Sequence, residues 1–164
     1  YMPGYGITNA AAALVGRSVG AGDMESAKRD GNICIALGAF LMTCTGAVMM
    51  LICPLVFRML TPVADVQQLA ARVLRIELLA EPLFGASIVA AGALRGAGDT
   101  LVPSLLNLGS IWLVRVGSAL VLVPRFGLTG MWCAMAVELC IRGLLLLVRQ
   151  RTSKYYLPMD TKRP

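Results

Sequence analysis

From Gly31 to Phe57 the chain reads GNICIALGAFLMTCTGAVMMLICPLVF, with no charged residue. About 20 apolar residues suffice for a helix to cross the hydrocarbon core of a bilayer, and this run is longer. Working outward, 100–124 carries only Arg115, and 126–148 carries only Glu138 and Arg142. The segment 66–94 is charged at its start and uncharged from Pro82 to Leu94. Residues 4–16 are uncharged and rich in alanine and glycine.

Composition agrees. The chain is 57% hydrophobic and 15% charged, against roughly 25% charged in soluble domains, and its mean hydropathy is +0.73. Too few charges exist to cover a water-facing surface of this size. The expected fold is all-α, a polytopic membrane bundle of about five transmembrane helices, the first one partial. Tyr1-Met2-Pro3-Gly4 has neither an initiator methionine at position 1 nor a basic leader region. It reads as a cut within or just before a membrane helix, and not as a signal peptide.

One turn device occurs twice, as Gly20-Ala21-Gly22-Asp23 and Gly96-Ala97-Gly98-Asp99, each near an arginine (Arg17, Arg95). Gly20 and Gly22 can take the left-handed conformation that closes a helix, and Asp23 can cap the next one. Asp99 is expected to cap the fourth helix, with Pro103 tolerated in its first turn, and Asp65 to cap the third. Thr61-Pro62 and Pro124-Arg125-Phe126-Gly127 are expected to be the turns at the opposite end.

Alternating spans place Arg17, Lys28, Arg29, Arg95, Arg149, Arg151, Lys154, Lys162 and Arg163 on one side. Arg58, Arg72, Arg75 and Arg125 fall on the other. The larger basic set marks the cytoplasm, which puts both glycine turns and the tail 151–164 there. Tyr155 and Tyr156 in that tail suit a headgroup belt. Because the basic residues track membrane edges, no nucleic-acid partner is expected; membrane lipid is.

Charges within the spans are the functional candidates, since each costs roughly 2.5–3.5 kcal/mol at a helix centre. Glu81 precedes Pro82, which removes a backbone hydrogen bond and frees a carbonyl. Such a carboxylate could bind a cation or hold and release a proton. Glu77, four residues earlier, shares its face. These two are the cation-coupling candidates. Glu138 and Arg142, four apart in the favourable acid-first order, read as a structural clamp. Arg115 must find an acid on another helix or snorkel. Asn107 and Ser110 read as interhelical hydrogen bonders.

Gly38, Gly46, Gly85 and Gly92 with their alanine neighbours suit close helix packing. Nine methionines could line an adaptable cavity, although filling core gaps is their commoner use. Cys34, Cys44, Cys53, Cys133 and Cys140 lie in apolar runs without a paired spacing, as small buried hydrophobes. There is no histidine. No catalytic residue, metal site or organic cofactor is expected, and the chain is not read as an enzyme. The glycine turns lack the Lys-Ser/Thr of a phosphate loop.

Three stretches resemble the multidrug and toxic compound extrusion (MATE) transporters. They are Leu14-Val15-Gly16-Arg17-Ser18-Val19-Gly20-Ala21-Gly22-Asp23 with Ala27-Lys28-Arg29, Gly92-Ala93-Leu94-Arg95-Gly96-Ala97-Gly98-Asp99-Thr100 with Pro103, and Gly130-Met131-Trp132-Cys133-Ala134-Met135-Ala136 with Arg142-Gly143-Leu144-Leu145. The resemblance implies two six-helix lobes with both termini cytoplasmic. Residues 1–150 then correspond to the C-terminal lobe without its first helix, and 151–164 to a cytoplasmic tail in the plasma (inner) membrane protein. It implies a secondary multidrug antiporter exporting small organic, often cationic xenobiotics in exchange for Na+ or H+. Its partner would be the N-terminal lobe of the same protein. Family members that couple to sodium place an acid about where Phe84 stands, and Glu81 lies one turn earlier. Two other readings are a lipid-linked or polysaccharide flippase of the same superfamily and a truncated membrane fragment that does not transport.

Overall fold

The computed structural model describes residues 2–153; the tyrosine pair at 155 and 156 and the rest of the tail from 154 lie outside the described residues. The chain is helical almost throughout. Helix α1 spans Met2–Gly20, α2 Met24–Leu60 and α3 Ala64–Gly96. Helix α4, Leu101–Gly109, passes through a π-helical turn, Ser110–Val116, into α5, Gly117–Thr152. Gly127 breaks α5 with φ 56° and ψ −134°, outside helical space. A Cβ on Gly130 would collide with the Leu122 carbonyl, so the chain folds back sharply at Gly127. The described residues thus make five antiparallel passes, as the hydropathy predicts. The turn expected over 124–127 narrows to one glycine, which alone takes positive φ cheaply.

Large apolar side chains point outward: Met59 is 83% exposed, Leu51 81% and Leu113 79%. Glu138, Asp99 and Glu81 are instead buried. This inverts the arrangement of a water-soluble domain and fits a bilayer as solvent. Two stretches, Met24–Leu60 and Leu101–Thr152, are long and apolar enough to cross a membrane. Helix α3 is more charged in its first half, and its 33 residues extend roughly 50 Å. That exceeds the ~30 Å core, so its opening turns reach the interface.

α3 is the central helix, packed against α1, α2 and α5. Lipid gives no hydrophobic force between helices, so close backbone approach through small residues must hold them. A Cβ on Gly96 would strike the Ala12 carbonyl, and one on Gly92 would lie 2.6 Å from the Thr8 carbonyl. Gly38 fits against Val89, and Gly85 against Met42. Cys34 and Cys53 are buried, as the apolar reading expected, but Cys44 is exposed on the lipid-facing surface and Cys133 and Cys140 are half-buried.

The glycine turns are a repeated device in atomic detail. Gly22 and Gly98 have φ of 79° and 92°. The Asp23 amide donates to the Ser18 carbonyl and the Gly22 amide to Val19; the Asp99 amide donates to Leu94 and the Gly98 amide to Arg95. Both closures are Schellman motifs, in which one left-handed residue lets two amides satisfy carbonyls that the helix end would orphan. Gly20 and Gly96 are the last helical residues, so the left-handed role belongs to the second glycine alone.

Candidate functional site

Glu138 is the most deeply buried charge, at 0% exposure. Its Oε1 accepts a hydrogen bond of 2.6 Å from Ser110 Oγ, and its Oε2 one of 2.7 Å from Arg115 Nη2. Arg142 Nε lies 3.3 Å from Oε1, an ion pair whose N–H is not aligned for a hydrogen bond. Arg142 also donates to Asn107 Oδ1, and its guanidinium sits 5.6 Å from the centre of the Phe84 ring, within cation–π range. The pairing inferred for Glu138 and Arg142, the need of Arg115 for a distant acid and the interhelical bonds of Asn107 and Ser110 are thus all present. The π turn explains how two donors five residues apart serve one acid. Its hydrogen bonds run from i to i+5, so Ser110 and Arg115 share a face that an α-helix would split. With both oxygens engaged and two arginines against one acid, the cluster is a positively charged clamp joining α4, the π turn and α5.

Glu81 and Glu77 stand apart from that clamp on α3, 8% and 7% exposed. Glu81 Oε2 is buried without a hydrogen-bond partner among the described residues. Its alkyl stem lies beside Gly46, where a Cβ would come within 3.5 Å of Cγ. α3 continues through Pro82, and Pro82 has no N–H to give the Leu78 carbonyl. The carboxylate therefore has an underused carbonyl one turn away. Such oxygen-only donors suit a hard monovalent cation, or a proton on the acid itself. Among the described residues no cluster has the make-up of a His/Cys/Asp/Glu metal centre.

The spacing 77, 81, 84, 88 puts Glu77, Glu81, Phe84 and Ile88 on one α3 face. Phe84 and Ile88 continue into an open pocket of about 370 Å³, lined also by Thr8, Asn107 and Arg142. At the position where the family resemblance leads one to expect an acid, Phe84 instead carries the Arg142 guanidinium on its ring.

At the glycine-turn end the two aspartates differ. Asp23 caps α2: its Oδ1 accepts the Ser26 amide at 2.9 Å. That bond, the largest cause, holds the exposed carboxyl below its ordinary pKa. Asp99 does not cap α4. Its neighbour Thr100 is the N-cap residue and makes no side-chain cap bond. Asp99 is 1% exposed and turns inward to Arg149, with Nη2 at 2.6 Å and Nε at 2.7 Å from Oδ2. Asp65 is likewise not a cap; Val63 holds that place and Asp65 lies in the first turn of α3. Arg17 and Arg95 are exposed, and Arg95 Nε reaches back to the Ala91 carbonyl of its own helix. The role of Arg149 is absent from the sequence reading, although alternation of the spans sets Asp99 and Arg149 at the same membrane end.

The chain matches the MatE family model over residues 1–121. It is 34% identical to "Probable multidrug resistance protein NorM" of Deinococcus radiodurans, an alignment covering 91% of this chain and 35% of the relative. With the protein of the same description from Brucella suis biovar 1, identity is 32%, covering 92% of this chain and 34% of the relative. "Multidrug and toxin extrusion protein 1" of Pongo abelii is 27% identical over 89% of this chain and 27% of its own length. The chain thus spans between about a quarter and a third of the length of these relatives.

Proposed function

The chain belongs to the MatE family, and from that premise we propose that it forms part of a multidrug efflux transporter, a secondary antiporter exporting small organic compounds in exchange for Na+ or H+. Residues 1–150 are its C-terminal lobe without the first helix, and 151–164 are a cytoplasmic tail at the inner membrane. The remaining lobe completes the substrate cavity. No enzymatic step or organic cofactor enters this reading.

The observation that carries the coupling assignment is the buried Oε2 of Glu81, which has no hydrogen-bond partner among the described residues. Every other buried acid whose partners are described above spends its charge on an arginine: Glu138 on Arg115 and Arg142, Asp99 on Arg149. A carboxylate already neutralised by arginine has little affinity left for an exchangeable cation, whereas Glu81 keeps an open oxygen. Occupancy by Na+ or H+ removes the cost of the uncompensated charge. Vacancy restores it, and this difference can bias the two faces of a rocking lobe. Glu77, one turn away, adds negative potential.

The test is Glu81→Gln in the full-length protein, reconstituted in vesicles and assayed for ion-driven efflux of a fluorescent organic cation. Expected is loss of gradient-driven efflux with expression and thermal midpoint unchanged. Unchanged efflux removes Glu81 from the mechanism. Imposing a sodium or a proton gradient separately assigns the ion.

A further inference from the structure

At the end of the bundle opposite the glycine turns, α2 and α3 diverge around a cleft of about 630 Å³. Met50, Pro54 and Arg58 recur every fourth residue along α2 and face Arg72, Arg75 and Leu79 of α3 across it. Arg58, Arg72, Arg75, Gln67 and Gln68 border its mouth, largely through their alkyl stems, and no carboxylate is among the lining residues. Among the described residues none of the three arginines makes an ion pair or hydrogen bond. Arginines meant only to anchor helix ends would point separately toward bulk headgroups. These three line one groove from two helices, and all three are exposed.

Further along the helices the cleft has a different chemistry. From Gln68 to Leu79 along α3 is roughly 16 Å, and there Met50, Ile76 and Leu79 form an apolar floor that is open on one side, Leu79 being 74% exposed. A free anion would use only the mouth. The apolar floor needs a ligand with a hydrocarbon chain attached to its anionic group. Guanidinium groups bind phosphate in a planar, two-pronged manner. We propose that this cleft seats an anionic phospholipid of the leaflet opposite the glycine turns. Arg58, Arg72 and Arg75 hold its phosphate, and one acyl chain lies along Met50, Ile76 and Leu79. The proposal is independent of Glu81 and of efflux.

The experiment uses the full-length protein, delipidated in detergent and offered dioleoyl-phosphatidylglycerol, dioleoyl-phosphatidylcholine or inorganic phosphate, with bound lipid counted by native mass spectrometry. Expected is selective retention of phosphatidylglycerol that excess inorganic phosphate does not displace. Replacing all three residues (Arg58→Gln, Arg72→Gln and Arg75→Gln) should weaken retention on the order of tenfold. The matching triple Arg→Lys variant keeps the charge but loses the two-pronged geometry, and should fall between wild type and the glutamine variant. Leu79→Trp, which fills the floor and leaves the charges alone, should also weaken retention, and it decides the matter if the glutamine variant does not fold. The proposal is overturned if phosphatidylcholine is retained equally, if inorganic phosphate displaces the lipid, or if Leu79→Trp and the glutamine variant both bind as wild type.

Discussion

Arg149, in the last turn of α5, closes on Asp99 of the second glycine turn, its Nη2 2.6 Å and Nε 2.7 Å from the same carboxylate oxygen. This one contact ties the last helix to the loop that starts α4. The partners are unequally placed, since the Asp99 side chain is 2% exposed and that of Arg149 23%. Arg149→Leu strands a buried carboxylate and should cost about 3 kcal/mol, the low end for breaking a buried pair. Asp99→Asn leaves an arginine able to reach water and should cost less. A double-mutant cycle read by thermal unfolding in detergent checks this; equal and additive losses would show that the pair contributes no coupling.

Gly20 and Gly96 occupy the same place in the two copies of the turn, yet their surroundings are opposite. A Cβ on Gly20 meets nothing within 4 Å, whereas one on Gly96 runs into the Ala12 backbone. Gly20→Ala should therefore be neutral or stabilise by up to ~1 kcal/mol through helix propensity. Gly96→Ala should destabilise by about 1–3 kcal/mol, as overpacking does when the obstacle is backbone. Matching thermal midpoints for the two variants would contradict the α1–α3 packing.

The number of passes, their ends and the two left-handed closures were legible because hydropathy and glycine act locally. The clamp was half legible. Glu138 and Arg142 meet at helical spacing, but nothing in the sequence announces the π turn that brings Ser110 and Arg115 onto the same acid. Asp99 was misassigned for a physical reason. An aspartate beside a helix start has two competing uses, a local cap or a distant cation. Local spacing favours the first, and only tertiary packing, which buries Asp99 next to Arg149, selects the second. Glu81 stood out by the cost of its burial, while its open oxygen depends on neighbours that spacing does not specify.

Asp23 offers a pH test, because its carboxyl is held below the ordinary value chiefly by the Ser26 amide. A depressed folded-state pKa means the charged cap stabilises at neutral pH, and that contribution is lost as pH falls through the folded value. Amide exchange at Ser26 should quicken below about pH 4, the ordinary aspartate pKa, relative to the intrinsic rate. In Asp23→Asn, which still accepts the bond but does not titrate, this extra pH dependence should vanish. Its persistence in the variant would assign it to another group.

Glu138 sets a ranking for the clamp. Glu138→Gln leaves Arg115 and Arg142 facing each other in the bundle without an anion, so it should be the most damaging change, by about 3–5 kcal/mol. Arg142→Leu leaves Glu138 still bonded to Arg115 and Ser110, but removes the Phe84 and Asn107 contacts as well, and should rank second. Arg115 is the most exposed of the three, its side chain at 30%, and Arg115→Leu leaves Arg142 to balance Glu138, so it should rank third. Ser110→Ala removes one hydrogen bond to a charged group and should cost roughly 1.5–3 kcal/mol at most. If thermal unfolding in detergent placed Glu138→Gln at or below Ser110→Ala, the clamp would not be what joins α4 to α5. If the full protein is the antiporter proposed above, all four variants should leave the ion dependence of its efflux unchanged wherever it folds, because neither Glu138 oxygen is open to an exchangeable cation.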